Sequence, residues 1–135
     1  MRALKAGLVY FTLVFAAGFA LGTVRVLFLV PAVGETVAVL TELPVMLTIS
    51  WIACRFSVRR FAVGPAAGER LAMGGLAFAL LMIAEIGVAW LLGRRSVSAY
   101  LAHYATFSGA VGLAGQLAFA AFPLLQLRFP GGRRR

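Results

Sequence analysis

Four apolar segments make up most of this chain and limit what it can fold into. They cover about residues 6–30, 36–54, 71–92 and 97–122 of a sequence that is 62% hydrophobic and only 13% charged. Each segment reaches or approaches the ~20 residues that a helix needs to cross a ~30 Å hydrocarbon layer. A soluble domain would carry about twice this share of charged residues. We therefore predict an all-α membrane protein, a single integral membrane domain over residues 1–135 with a four-transmembrane-helix bundle.

The basic residues predict how the four helices are oriented. If every segment crosses the membrane, ten of the 13 Lys and Arg residues fall on one side, namely Arg2, Lys5, Arg55, Arg59, Arg60, Arg70, Arg128 and Arg133 to Arg135. Only Arg25, Arg94 and Arg95 fall towards the other side. The positive-inside rule then places both termini in the cytoplasm, in the inner (plasma) membrane. Because the outer connections are short, the helices are expected to form two antiparallel hairpins.

The net charge of +9 indicates a lipid partner, not a nucleic acid. The arginines cluster at the ends of the apolar segments, where they contact anionic headgroups of the bilayer. A nucleic-acid-binding surface would instead show a basic stripe interleaved with exposed aromatic residues.

A few ionisable residues lie inside the apolar segments, and their positions indicate a candidate functional site. With a rise of ~1.5 Å per residue, each lies about 9–10 Å or less from the outer end of its helix, so they share one layer. Placing such a group in hydrocarbon costs several kcal/mol unless it is paired or solvated, so we expect all of them to point into the bundle. The predicted site consists of Arg25, Glu42, Glu85 and His103, with Tyr100 and Tyr104 at the same level.

Other residues are interpreted as structural. Gly18 and Gly22 form a GxxxG pattern that permits close helix packing, and Pro44 is expected to kink the second helix beside Glu42. Glu35 is interpreted as an N-terminal helix cap, and Tyr10 as an interfacial anchor.

Two carboxylates and an imidazole fit several kinds of chemistry. They suit a bound cation, a proton relay, or general acid/base catalysis. In the structural alternative, Arg25 neutralises Glu42 or Glu85, and His103 hydrogen-bonds the other glutamate. No local ligand pattern or nucleotide-binding motif is present, so we expect no metal and no cofactor, and we assign no catalytic residue.

The leading functional hypothesis is binding and translocation of a small solute or cation, coupled to protonation of Glu42 or Glu85. A transporter of this size is expected to work as a homodimer. One alternative is a membrane enzyme that uses a glutamate as acid or base on a lipophilic substrate. The other is a non-catalytic subunit or assembly factor of a membrane complex.

Overall fold

The structure, a computed structural model, describes residues 1–93 and 96–129, and every regular element in those ranges is a helix. Four helices are long and apolar enough to cross a membrane: Arg2–Val33, Glu35–Arg60, Ala67–Leu91 and Phe107–Leu125. The prediction of an all-helical protein with four membrane-length helices is confirmed. Arg94, Arg95 and residues 133–135, which entered the orientation prediction, lie outside the described residues.

The first long helix changes its geometry before it ends. It consists of α1 (Arg2–Val24), a π-helical segment (Arg25–Leu29) and the single turn α2 (Val30–Val33). The predicted span ended at residue 30, but the helix continues from the π-helical segment through Pro31 to Val33. The helix ends instead at Gly34, whose φ of 84° favours glycine.

The next two helices extend beyond their apolar segments at the ends that are predicted to be cytoplasmic. Helix α3 (Glu35–Arg60) continues through Pro44 and past Cys54, the predicted end of the span. Helix α4 (Ala67–Leu91) begins before the predicted start at Leu71. Polar residues therefore extend both helices beyond the segments that hydropathy identifies.

The fourth predicted span, residues 97–122, is not one helix. A short helix α5 (Val97–His103) is followed by a turn and then by α6 (Phe107–Leu125). The break lies at Thr106, whose hydroxyl donates to the His103 carbonyl at 2.6 Å and accepts from the Gly109 N–H at 3.1 Å. Threonine makes such local bonds in competition with the helical pattern, so it caps α6 and ends α5.

The long helices form a ring in which α1 and α6 each pack against both α3 and α4. Glycines allow the closest approaches, since a Cβ atom on Gly7 would lie 2.8 Å from the Met73 carbonyl oxygen and one on Gly74 would collide with the Ala120 carbonyl. Tyr10 is fully buried in this packed region, so its predicted role as an interfacial anchor is wrong.

The packed core occupies the end of the bundle that contains the N-terminal half of α1. Its members come from all four long helices and include Ala6, Tyr10, Met73, Ala77 and Phe119. The Tyr10 hydroxyl donates to the Phe119 carbonyl at 2.8 Å, and the two rings stack with centroids 4.3 Å apart. The other end of the bundle is hollow.

Candidate functional site

A cavity of about 780 Å³ lies between the helices at the hollow end of the bundle. Its wall contains every residue of the predicted site: Arg25, Glu42, Glu85, Tyr100, His103 and Tyr104. Gly18 and Gly22 also line this cavity. The volume falls within the ~300–1,000 Å³ typical of pockets for small molecules.

Arg25 and Glu42 form an ion pair across the cavity wall. Arg25 opens the π-helical segment, a distortion that is often found at functional sites. Its Nε atom lies 2.7 Å from Glu42 Oε2, and the two side chains are 30% and 15% exposed. The N–H group is not aligned with the oxygen, and neither atom has a hydrogen-bond partner among the described residues. The pair therefore balances charge without a directed hydrogen bond.

Glu85 is held by neutral donors. Its Oε2 accepts from the Tyr100 hydroxyl and from Gln116 Nε2, each at 2.6 Å. Within the described ranges, Oε1 accepts no hydrogen bond and no Lys, Arg or His nitrogen comes within 4.0 Å of this carboxyl group. Among the described residues, Glu85 is thus a carboxylate that no cationic side chain contacts, although Arg25 still attracts it through space.

Two tyrosines complete the surroundings of Glu85. The Tyr104 hydroxyl lies 3.2 Å from that of Tyr100 and 3.4 Å from Gln116 Oε1. The Tyr100 and Tyr104 rings meet edge to face, with centroids 5.5 Å apart. The Tyr100 phenol is the donor in its bond to Glu85 and an acceptor in its bond from Tyr104.

His103 has a different partner from the one we expected. Its Nε2 lies 3.6 Å from Glu35 Oε1, which also accepts from the Ser108 hydroxyl at 3.2 Å. The structural alternative paired His103 with Glu42 or Glu85, and that pairing is wrong. His103, with Tyr100, belongs to the short helix α5 and not to a membrane-length helix, because Thr106 ends α5 before α6 begins.

Glu35 and Gln116 are site residues that the sequence analysis did not assign. Glu35 lies in the first turn of α3, but its predicted role as the cap is wrong, since the N-cap is Gly34 and no side chain of the described residues caps this end; the Glu35 side chain lines the cavity instead. Gln116 is a polar residue in the middle of an apolar helix, and that position alone marks it as costly to bury in lipid. Its amide is the direct partner of Glu85.

Among the described residues, no group of three or more His, Cys, Asp or Glu side chains could hold a metal ion. The chain matches no protein-family model, no curated protein and no solved structure. Function must therefore be inferred from the chemistry of the site.

Proposed function

We propose that this protein binds a small solute in the cavity and moves it across the membrane in exchange for a proton carried by Glu85. In this proposal the chain is a multi-pass inner-membrane protein of two antiparallel hairpins, with both termini in the cytoplasm and with two copies forming the working unit. The observation that carries the proposal is that Glu85 lines the cavity and contacts only neutral donors.

The surroundings of the two intramembrane glutamates differ in a way that assigns them different roles. Glu42 faces the Arg25 guanidinium, which cannot be deprotonated in a protein. Protonation of Glu42 would leave that cation unbalanced in a region of low dielectric. No cation of the described residues contacts Glu85, and Arg25, which attracts it through space, is already paired with Glu42, so a proton on Glu85 removes the remaining negative charge of these three residues. We therefore propose Glu85 as the proton carrier and Glu42 as a structural residue.

The neutral donors suit a carboxyl group that changes its protonation state. Tyr100 and Gln116 both donate to Oε2, which stabilises the carboxylate without a compensating cation. Gln116 also carries an amide oxygen and Tyr100 a hydroxyl oxygen, so each can accept a hydrogen bond from the protonated acid. The same side chains can then serve both states of Glu85.

The experiment is proton flux in proteoliposomes with an imposed pH gradient. Neutral, cationic and anionic solutes are added in turn, and the wild type is compared with Glu85→Gln and with the double variant Arg25→Met/Glu42→Gln. We expect solute-driven proton flux in the wild type and in the double variant, and its loss in Glu85→Gln. Full flux in a correctly inserted Glu85→Gln protein would refute the proposal. Absence of flux in a protein that purifies with a fixed partner would favour a subunit of a larger complex.

A further inference from the structure

We propose that the solute is a lipophilic organic monocation, bound with its charged centre between the Glu85 carboxylate and the Tyr100–Tyr104 ring pair. This assignment rests on the proposed function, because it names the substrate class of the same site. Three properties of the cavity lead to it: its charge, its aromatic lining and the geometry around Glu85.

The charged residues of the cavity select a cation. Its wall contains one guanidinium, three carboxylates and one imidazole. Arg25 is matched by Glu42, and Glu35, which is 49% exposed, is shared by His103 and Ser108. The charges of the other three residues, Arg25, Glu42 and Glu85, sum to one negative charge, and Glu85 is the carboxylate among them that no cation in the described ranges contacts, so it can balance a single positive charge.

The aromatic residues select an organic cation with apolar groups. Phe15, Phe19 and Phe119 line the cavity together with the two tyrosines. Aromatic faces attract cations through the ring quadrupole, most strongly where water is excluded. Their surfaces also remove the apolar groups of such a ligand from water.

The geometry around Glu85 disfavours a bare metal ion. Hard cations such as Ca²⁺ require six to eight oxygen ligands. Here the Tyr100 hydroxyl and the Gln116 amide direct hydrogens, not lone pairs, at the carboxylate. Glu85 Oε1 accepts no hydrogen bond from the described residues, so one charged oxygen is available beside the perpendicular rings. That combination fits a diffuse charge on a quaternary nitrogen or phosphorus atom.

The experiment uses the full chain in nanodiscs of zwitterionic lipid and two probes of matched shape. Radiolabelled tetraphenylphosphonium carries one positive charge, and tetraphenylborate carries one negative charge on the same four-ring framework. We expect saturable binding of the phosphonium to the wild type and none of the borate. Equal binding of both probes to the wild type, or no saturable phosphonium binding, would by itself overturn the assignment.

Variants locate the site. Glu85→Gln is expected to weaken phosphonium binding about 10- to 100-fold, since a charge-assisted contact is lost. Its matched control is Glu69→Gln, in the first turn of α4 and outside the cavity, where an amide oxygen can still accept from the Gly64 N–H. Tyr104→Leu should weaken binding about 2- to 30-fold, whereas Tyr104→Phe keeps the ring and should stay within about threefold of wild type. Phe56→Leu, at a residue that is 53% exposed and outside the cavity, is the aromatic control.

The outcomes separate this assignment from the proposed function. Phosphonium binding without solute-driven proton flux would overturn transport and leave the assigned ligand class standing. Proton flux driven by Na⁺ or by an uncharged solute, with no phosphonium binding, would overturn the ligand class and leave transport standing. Equal phosphonium affinity in a folded Glu85→Gln protein would overturn the assignment of the site.

Discussion

The ion pair between Arg25 and Glu42 is expected to be dispensable as a pair but not as single residues. Removing one partner from a fully buried ion pair costs about 3–5 kcal/mol, because the other charge is left without compensation. Here the side chains are 30% and 15% exposed, so the protein buries neither charge fully, and the N–H group is not aligned with Oε2. We therefore expect Arg25→Met and Glu42→Gln to lower the free energy of unfolding by about 2–3 kcal/mol each.

The double variant Arg25→Met/Glu42→Gln should lie within about 1 kcal/mol of wild type, since no orphaned charge remains. At about 4 °C per kcal/mol, the single variants should melt roughly 8–12 °C lower and the double variant within about 4 °C of wild type. Tryptophan fluorescence during thermal unfolding in detergent measures these shifts. A double variant as unstable as the sum of the two singles would refute the reasoning, because additivity means that the two charges do not interact.

Three further predictions test the fold. In a cysteine-free background, Ala32→Cys should react with an impermeant maleimide from outside the cell and Ala66→Cys only after permeabilisation; outside labelling of the latter would overturn the orientation. Gly74→Ala should lower the free energy of unfolding by about 1–3 kcal/mol, because its Cβ would collide with a carbonyl group of α6. The control Gly75→Ala, with open space at its Cβ, should be neutral. Equal melting temperatures of the two variants would contradict the close packing. Thr106→Ala should destabilise the protein by about 1 kcal/mol through loss of the helix cap, as measured in the same melts, and an unchanged melting temperature would count against the capped break.

Hydropathy and charge were sufficient to predict the class of fold. Long apolar segments identify the residues that can lie in lipid. In lipid the backbone must satisfy its own hydrogen bonds, so each such segment is expected to be a helix. That the ionisable residues point into the bundle was also predictable, because the cost of burying a charge in lipid leaves few alternatives to an inward position. Arg25 and Glu42 do line one cavity and do pair.

The predictions failed where local hydrogen bonds determine the conformation of the backbone. Hydropathy does not register that Thr106 bonds to both His103 and Gly109, so one predicted helix became two. The partner of His103 was wrong for the same reason, since the break changes which residues face the imidazole. The role of Gln116 depends on which face of α6 meets α4. A single sequence does not show how α6 is rotated about its axis, so this contact could not be predicted.

In the proposed transport cycle, the boundary between the packed and hollow ends of the bundle separates the cavity from the cytoplasmic side. Val14, Leu81 and Phe119 belong to both regions, so they form the floor of the cavity. At this floor Tyr10 ties α1 to α6, because its hydroxyl donates to the Phe119 carbonyl and its ring stacks on the Phe119 ring. Such contacts contribute about 1 kcal/mol each. In the proposed transport cycle, a solute leaving the cavity on this side would have to pass the packed core, so the contacts between the four helices at that end would have to separate.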